Sequence, residues 1–297
     1  MSRIFDALQR SGTEQSGIKY PDIISVVTEV FEAPQQKAAV EKFVIDPAPT
    51  ELSPAMDLAD GTPLEFPSLE TSIGTSSRLV FLTEPESLAA EKFRFLGVRL
   101  RQLQQSRPLK KLLVTSTIPE EGKSTVSANL AGVLARRKKQ KVLLLEGDLR
   151  RPVLSEKLGL GKLAGVAEWL QSDLHTVSHV YRLDEPGFWF MPAGTPPANP
   201  LELMQFGRLT ELMTLLAAYF DWIVVDSPPL LPLADTTVWS RVTDGMLLVV
   251  REGKTEKAQL KQGVEVLKKS QLLGVVLNGG THPNHKNYYQ RYTIGRK

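Results

Sequence analysis

Cysteine is absent from the 297-residue sequence. Its absence excludes a fold stapled by disulfides and any metal site built on thiolates. Long hydrophobic runs are also missing. None reaches the roughly 18 residues that a membrane-spanning helix needs, and the segment Met1 to Gly17 is too polar for a secretory signal. We therefore expect a cytoplasmic protein.

Basic charge is scarce in the first part of the chain. Residues 1–77 carry 5 Lys and Arg against 12 Asp and Glu and hold seven prolines, whereas the remainder carries 31 basic against 21 acidic residues. An acidic, Pro-rich segment is typical of a linker, so we predict that residues 1–77 form a largely disordered arm. The basic remainder indicates a solvated surface with a nucleotide site, or else contact with nucleic acid or an anionic membrane.

A helix is predicted to begin after Thr83, because the segment Thr83 to Glu86 has the form of a capping box. Apolar residues then recur in steps of four and three along one helix face. They are Ala89, Phe93, Leu96, Leu100 and Leu103. The opposite face carries Glu91, Lys92, Arg94, Arg99 and Arg101. That charged face is either solvated or a surface for self-association.

A phosphate-binding loop is predicted at residues 117–124. The apolar segment Leu112 to Val114 fits a buried strand, and helical spacing begins at Val126. The turn between them matches the pattern G-x-x-x-x-G-K-[ST], with Thr117 in place of the first Gly. The alternative is a Gly-Lys-Ser that happens to start a helix.

Each residue type in this turn suits a phosphate ligand. Gly122 lets the backbone approach a phosphate oxygen without a Cβ in the way. Lys123 would reach the β- and γ-phosphates, Ser124 would place its hydroxyl on Mg²⁺, and Thr125 could reach the α-phosphate. The backbone N–H groups of the turn and the positive end of the following helix would add to the attraction.

Two further strands end in carboxylates. Val142 to Leu145 is followed by Glu146 and Asp148, and Trp222 to Val225 is followed by Asp226. An α/β sheet binds ligands at the carboxyl ends of its strands, so Glu146 and Asp148 are candidate Mg²⁺ ligands or proton acceptors, or else part of a turn or helix cap. Asp226 has the form of a Walker B aspartate, which holds Mg²⁺.

Buried strands alternate with helical segments along the rest of the chain, and we find no hairpin signal. Further strands are predicted at residues 188–191, 246–250 and 275–277. This alternation predicts an α/β fold with a doubly wound, mainly parallel sheet and helices on both faces. We assign this domain to residues 78–281 and predict a flexible, basic tail with a tyrosine cluster at residues 282–297.

Four features coincide in this chain: TSTIPEEGKST, VLLLEGDLRRP, WIVVDSPP and the tyrosine cluster near the C-terminus. Together they resemble the bacterial tyrosine kinases of capsular and exopolysaccharide assembly. The resemblance covers about residues 83–292 and leaves residues 1–77 outside. It implies a P-loop NTPase fold with Walker A, A′ and B motifs, and an enzyme that transfers phosphate from ATP to protein tyrosine with Mg²⁺.

The resemblance also assigns site residues. Its nucleotide-binding residues would be Thr117, Pro119, Glu120, Glu121, Gly122, Lys123, Ser124 and Thr125. Its catalytic residues would be Lys123, Asp148, Asp226 and Glu146, where Glu146 and Asp148 match the acidic positions of the A′ motif. Its metal ligands would be Ser124, Asp148 and Asp226.

The family phosphorylates its own C-terminal tyrosines in trans within a ring and is activated by a membrane-spanning adaptor. By resemblance, the phosphorylated residues are Tyr288, Tyr289 and Tyr292, and the oligomer interface includes Glu91 and Arg94. The unphosphorylated chain would form a homo-oligomeric ring. A separate polysaccharide co-polymerase adaptor would recruit it to the inner face of the cell membrane, with no direct membrane contact and no nucleic acid, to regulate polymer assembly and export.

Two positions depart from the family pattern. Glu146 stands where the family usually has Asp, and a carboxylate displaced by about 1 Å can cost on the order of a hundredfold in rate. Gly97 stands at the last position of the helix motif E-x-x-R-x-x-R that begins at Glu91. The alternative function is a nucleotide-dependent switch or scaffold of the cell-division and partition ATPase type. Those proteins carry an extra lysine where this chain has Ile118.

Overall fold

The computed structural model describes residues 66–71, 73–74, 77–136, 140–204, 207–231, 234–267 and 272–280. Residues 1–65 of the predicted arm and the whole predicted tail, including its three tyrosines, lie outside the described residues. The division into arm, domain and tail therefore stays a prediction. No helix within the described part of the chain combines the length and the apolar character needed to span a membrane.

The described residues form eight strands and nine helices. The strands are β1 (Ser68–Leu69), β2 (Lys111–Ser116), β3 (Val142–Glu146), β4 (Tyr181–Leu183), β5 (Phe188–Met191), β6 (Trp222–Asp226), β7 (Gly245–Arg251) and β8 (Leu272–Asn278). The helices are α1 (Val80–Thr83), α2 (Leu88–Ser106), α3 (Lys123–Ala135), α4 (Leu154–Lys157), α5 (Val166–Gln171), α6 (Pro200–Leu203), α7 (Arg208–Tyr219), α8 (Asp235–Arg241) and α9 (Lys257–Val266).

All eight strands belong to one sheet, in the order β1-β4-β5-β3-β6-β2-β7-β8. Successive residues of the central strands point to opposite faces: Leu112 and Val114 enter one apolar cluster, and Leu113 enters the other. Helices α2 and α3 cover the first face, while α5, α7 and α8 cover the second. The predicted doubly wound, mainly parallel α/β fold is therefore confirmed.

The register of the three central strands brings their carboxyl ends to one place. β6 lies between β3 and β2, with Asp226 paired to Glu146 on one side and to Val114 on the other. Apart from Lys111 at the start of β2, every residue of these strands is buried, and each strand contains a run of at least three apolar residues, as expected where helices cover both faces of a parallel sheet. The residues that follow them consequently meet at one edge of the sheet.

One pair of strands is antiparallel, contrary to the expectation that the chain has no hairpin. β4 pairs with β5 through Arg182 and Trp189, and the turn between them includes Pro186 and Gly187. Gly187 has φ +88°, a left-handed conformation that glycine adopts without strain. The Pro-Gly pair was the missed turn signal. Both strands lie between the central sheet and the edge strand β1.

The predicted helix start at Thr83 is wrong. Thr83 ends the short helix α1, and α2 begins at Leu88 with Ser87 as its N-cap. The Ser87 hydroxyl accepts a hydrogen bond from the N–H of Ala90 at 3.2 Å, which satisfies one of the unpaired donors of the first turn. The predicted apolar face is confirmed from Phe93 onward, with Leu96 and Leu100 buried, but Ala89 is exposed and Ala90 is buried in its place.

Gly97 allows α2 to pack closely on α3. A Cβ at this position would lie 2.9 Å from Cγ1 of Val133, a branched side chain with little freedom to move aside. Arg101, one turn further along α2, donates from its guanidinium to the carbonyl oxygens of Val133 and Leu134 at 3.1 Å each. The departure from the family motif at Gly97 therefore has a packing reason.

Restoring the family's arginine with Gly97→Arg should lower the free energy of unfolding by about 1–3 kcal/mol, because overpacking outweighs the better helix propensity. Urea denaturation measures the change. Gln102→Arg is the matched control, since Gln102 is exposed on the same helix. A Gly97→Arg protein as stable as the Gln102→Arg protein would contradict the packing account.

Candidate nucleotide-binding and catalytic site

The predicted strand–turn–helix is present, with the loop of residues 117–122 between β2 and α3. Gly122 has φ +97° and directly precedes the helix. The positive φ favours glycine there, and a Cβ on Gly122 would also push aside the side-chain amide of Asn278, which bonds to the carbonyl oxygen of Glu121. Glu120 also has a positive φ, +63°. These residues fold the turn tightly over the start of α3.

Lys123 lies almost buried beneath this turn. Its Nζ is 3.0 Å from Oδ2 of Asp148 and 3.4 Å from Oγ of Ser124. Burial alone would lower the pKa of Lys123, but the charges of Asp226 and Asp148 outweigh it, and the pKa is raised. Lys123 is therefore a protonated cation at neutral pH, as a phosphate ligand must be.

Asp226 is buried at the end of β6. Its Oδ1 accepts a hydrogen bond from the Ser127 hydroxyl at 3.2 Å, while its Oδ2 has no hydrogen-bond partner among the described residues. Burial raises the pKa of Asp226, and the charge of Lys123 opposes that rise. An unpaired buried carboxylate oxygen is costly and fits a site that a cation or water completes.

The donor set at this edge of the sheet suits Mg²⁺. Ser124 and Asp226 offer hard oxygen ligands, and Mg²⁺ typically takes one or two carboxylates together with waters and substrate phosphates. Within the described ranges, no three His, Cys, Asp or Glu side chains are grouped to hold a metal ion by themselves. The ion would therefore depend on nucleotide phosphates for the rest of its ligands.

Asp148 lies in the loop after β3 and faces the phosphate loop. Its Oδ1 accepts a hydrogen bond from the N–H of Arg151 at 3.1 Å, and its Oδ2 makes the ion pair with Lys123. Arg150, beside it, forms two hydrogen bonds at 2.6 and 3.1 Å with the buried Asp235. The structure thus brings together four of the predicted residues: Lys123, Ser124, Asp148 and Asp226.

Glu146 has different neighbours from the other predicted residues. Its carboxylate accepts hydrogen bonds from the N–H of Leu154 at 2.5 Å, the Ser155 hydroxyl at 3.3 Å and the N–H of Ala193 at 3.2 Å. Burial raises the pKa of Glu146, and these backbone donors oppose the rise. None of the three donors belongs to the phosphate loop or to β6.

The two glutamates of the phosphate loop hold the loop in place. The buried Glu121 accepts from the N–H of Ile118 at 2.8 Å and of Arg251 at 3.2 Å, and it contacts the Thr255 hydroxyl. The exposed Glu120 pairs with Lys254 at 2.6 Å, and this bond lowers the pKa of Glu120. Their side chains are thus engaged within the loop, with the last residue of β7 and with the segment after it.

The other predicted nucleotide-binding residues differ in exposure: Thr117 is buried, Thr125 is half-buried and Pro119 is exposed. The Thr117 hydroxyl has no hydrogen-bond partner in the described part of the chain. Its carbonyl oxygen accepts from the N–H of Leu231 at 3.1 Å, which ties the phosphate loop to the segment after Asp226.

Three positioning residues escaped the sequence analysis. Asn278 donates to the carbonyl oxygen of Glu121 at 2.8 Å, and Trp239 donates to that of Gly147 at 3.0 Å. Ser127 bonds to Asp226, and it lies one helical turn after Lys123. Helical spacing could therefore have indicated Ser127, whereas no local pattern indicates the long-range contacts of Asn278 and Trp239.

The predicted oligomer-interface residues satisfy each other within one chain. Arg94 pairs with Glu91 at 2.6 Å and donates to the carbonyl oxygen of Pro85 at 2.5 Å. On the same helix, Phe95 and Val98 are 43% and 48% exposed. The surface of α2 that contains these four side chains therefore combines charge with exposed apolar area.

In this chain a central parallel strand leads through a Gly-Lys-Ser turn into a helix. One buried aspartate ends the neighbouring strand β6 and another lies in the loop after β3. This arrangement defines a P-loop nucleotide-binding protein. No protein-family model matches the chain. The Bacillus subtilis tyrosine-protein kinase YwqD is 35% identical over 212 residues, which are 71% of this chain and 89% of that protein. The chain therefore belongs to the bacterial tyrosine-protein kinases, and the predicted family and enzyme class are confirmed.

Other relatives place the chain in the same family. EpsB of Ralstonia nicotianae is 31% identical over 214 residues, but these residues make up only 28% of that protein. Among solved structures, the chimerical protein CapA2B2 has a TM-score of 0.64 at 28% identity, covering 73% of this chain and 96% of that one. The kinase domain of Escherichia coli ETK has a TM-score of 0.63 at 26% identity, covering 69% and 82%.

Adding a methyl group with Gly122→Ala should weaken ADP binding at least tenfold, because the left-handed turn and the Asn278 amide leave no room for it. Isothermal calorimetry with ADP and Mg²⁺ measures the affinity. Gly161→Ala is the control, since a Cβ at Gly161 would meet nothing within 4 Å. Equal affinities for the two variants would contradict the described loop conformation.

Removing the buried charge with Asp226→Asn should stabilise the protein without nucleotide by about 1 kcal/mol at pH 7, since burial raises the pKa of Asp226. The folded state disfavours the ionised form, so the gain should shrink as the pH falls through that raised pKa and Asp226 becomes protonated. Urea denaturation from pH 4 to 8 measures it. A variant less stable than the wild type at pH 7 would show that the charge stabilises the fold.

Proposed function

We propose that the chain is an ATP- and Mg²⁺-dependent autokinase that phosphorylates Tyr288, Tyr289 and Tyr292 near its C-terminus. The observation that best supports this function is the Lys123–Asp148 pair at 3.0 Å beside the unpaired oxygen of Asp226. A cation for phosphates, a carboxylate for a proton and a carboxylate for a metal are the groups that such a transfer needs.

Lys123 and the amides of the phosphate loop would hold the phosphates of ATP. Because Lys123 bonds to Asp148 in the structure, phosphate oxygens would compete for the same ammonium group and leave Asp148 able to accept a proton. Ser124 and Asp226 would hold Mg²⁺, whose charge offsets that of the phosphates.

Asp148 would orient the acceptor tyrosine and receive its proton. The tyrosine oxygen would attack the γ-phosphorus while the bond to the β–γ bridging oxygen breaks, so that ADP leaves. A phenol has a pKa of about 10, so a positioned carboxylate that accepts the proton during the transfer lowers the barrier. The catalytic set would then be Lys123, Asp148 and Asp226.

Self-association would deliver the tail of one chain to the site of another. The surface of α2 with Glu91, Arg94, Phe95 and Val98 supports this part of the proposal, because large exposed apolar side chains beside charges suit a protein contact. Each phosphate would add nearly two negative charges to the basic tail. The reversed charge would release the tail from its neighbour and break the ring.

The polysaccharide role is proposed on the family resemblance. A separate membrane-spanning adaptor would bind the chain at the inner face of the membrane and activate it, and the phosphorylation state would regulate exopolysaccharide or capsule assembly and export. The similarity to the chimerical protein CapA2B2 is compatible with an adaptor partner. No nucleic acid is needed for this function.

One observation favours a second candidate, a switch or scaffold that binds nucleotide without transferring phosphate. Glu146, one of the two acidic positions of the A′ motif, accepts its hydrogen bonds from Leu154, Ser155 and Ala193 and not from the phosphate loop. The motif would then supply only Asp148. Such a protein would bind ATP and Mg²⁺ and leave its tyrosines unmodified.

The purified protein with Mg²⁺ and ATP should acquire phosphate on the tail, and Lys123→Met should abolish it by removing the cation that holds the phosphates. Intact mass and phosphopeptide analysis measure the modification. Lys162→Met, at an exposed lysine, is the matched control. An unmodified wild-type tail in the presence of a membrane extract from cells that make the polysaccharide, at saturating ATP, would favour the switch or scaffold.

Mixing two variants tests transfer between chains. Lys123→Met offers an intact tail without activity, and the Tyr288→Phe, Tyr289→Phe, Tyr292→Phe variant offers activity without a tail acceptor. We expect phosphate on the tail of the Lys123→Met chain only in the mixture. A wild-type chain that labels its own tail while the mixture stays unlabelled would contradict transfer in trans.

A further inference from the structure

We propose that Glu146 is a positioning residue that anchors the loop containing Asp148, and that it is not a ligand of the metal or the nucleotide. The proposal rests on the proposed function only for the reaction in which Asp148 acts. Its anchoring contacts are independent of that reaction. It accounts for a glutamate at a position where the family usually has the shorter aspartate.

The contacts of the Glu146 carboxylate are all with structural segments. Its Oε1 accepts from the N–H of Leu154, the first residue of α4, and its Oε2 accepts from the Ser155 hydroxyl and from the N–H of Ala193, just after β5. The residue is 1% exposed. Two backbone N–H groups and one hydroxyl thus satisfy a carboxylate that could not otherwise be buried at low cost.

The length of the side chain decides which groups it reaches. An aspartate would place its carboxylate about 1.5 Å closer to the backbone, one carbon–carbon bond shorter. Hydrogen bonds of 2.5 and 3.2 Å to Leu154 and Ala193 would then lengthen beyond hydrogen-bonding distance unless the backbone moved. A side chain of this length with two acceptor oxygens bridges α4 and the end of β5, and an aspartate does not.

The loop of residues 147–153, which contains Asp148, ends where α4 begins. The hydrogen bond from Leu154 to Glu146 fixes that end of the loop. The near end is already held, since the N–H of Gly147 donates to the carbonyl oxygen of Asp226 at 2.7 Å and Trp239 donates to that of Gly147 at 3.0 Å. Asp148 lies between these two anchors. Glu146 therefore acts on the reaction through the position of Asp148.

The experiment compares Glu146→Gln and Glu146→Asp with the wild type and with Asp226→Asn as the reference for a lost metal ligand. Gln can accept at only one of its two terminal atoms, and Asp falls short of both backbone donors. Three quantities are measured: hydrogen exchange of the Leu154 and Ala193 amides, the Mg²⁺ concentration that half-saturates ADP binding, and kcat and KM for ATP in tail phosphorylation.

We expect exchange to be about tenfold faster or more at both amides in Glu146→Asp and at one of the two in Glu146→Gln, because hydrogen bonds to a charged group are lost. The Mg²⁺ concentration that half-saturates ADP binding should stay within about twofold of the wild-type value in both Glu146 variants. It should rise at least tenfold in Asp226→Asn. The kcat should fall about tenfold or more with little change in KM, since Asp148 is misplaced while the nucleotide is still held.

Two results would overturn the proposal. If Glu146→Gln raises the Mg²⁺ concentration needed for half-saturation as much as Asp226→Asn does, Glu146 is a metal ligand. If the amides exchange faster but kcat stays at the wild-type value, the contacts stabilise the fold without positioning Asp148. A wild type that binds ADP and Mg²⁺ but phosphorylates nothing would contradict the kinase proposal alone, and the exchange and Mg²⁺ measurements would still decide whether Glu146 anchors or ligates.

Discussion

The buried cluster of one ammonium and two carboxylates beneath the phosphate loop is the constraint on which the rest of the structure depends. Lys123, Asp148 and Asp226 are all nearly inaccessible to water, and isolated buried charges are strongly disfavoured. The Lys123–Asp148 pair and the Ser127 bond to Asp226 offset part of that cost. One oxygen of Asp226 has no hydrogen-bond partner among the residues that the structure describes, which fits a nucleotide- and metal-binding centre that a cation or water completes.

The fold supplies this cluster through strand order. Placing β6 between β3 and β2 brings Asp226 beside the loop of Asp148 on one side and the phosphate loop on the other. Contacts between loops then remove the remaining freedom: Glu121 bonds to Arg251, Asn278 to Glu121, and Trp239 to Gly147. A site assembled from three loops is therefore held by bonds that connect distant parts of the chain.

The sequence predicted the parts of this site that local patterns determine. A buried strand, a Gly-Lys-Ser turn and helical spacing indicate a phosphate loop, and a run of apolar residues ending in Asp226 indicates a metal-binding strand. The direction of the Glu146 side chain could not be predicted, because its partner Ala193 lies 47 residues away. The packing of Gly97 on Val133 is likewise a contact between distant residues that no local pattern indicates. Ser87 was not recognised as the N-cap of α2 because Thr83 begins a competing capping pattern.

A crystal structure of the chain with Mg²⁺ and a non-hydrolysable ATP analogue would test the central claim most directly. The account predicts that Lys123 Nζ leaves Asp148 and binds phosphate oxygens, that the free oxygen of Asp226 lies within reach of the metal, directly or through water, and that Glu146 stays bonded to Leu154 and Ala193. A bound nucleotide with Lys123 still paired to Asp148, or with Glu146 on the metal, would contradict it.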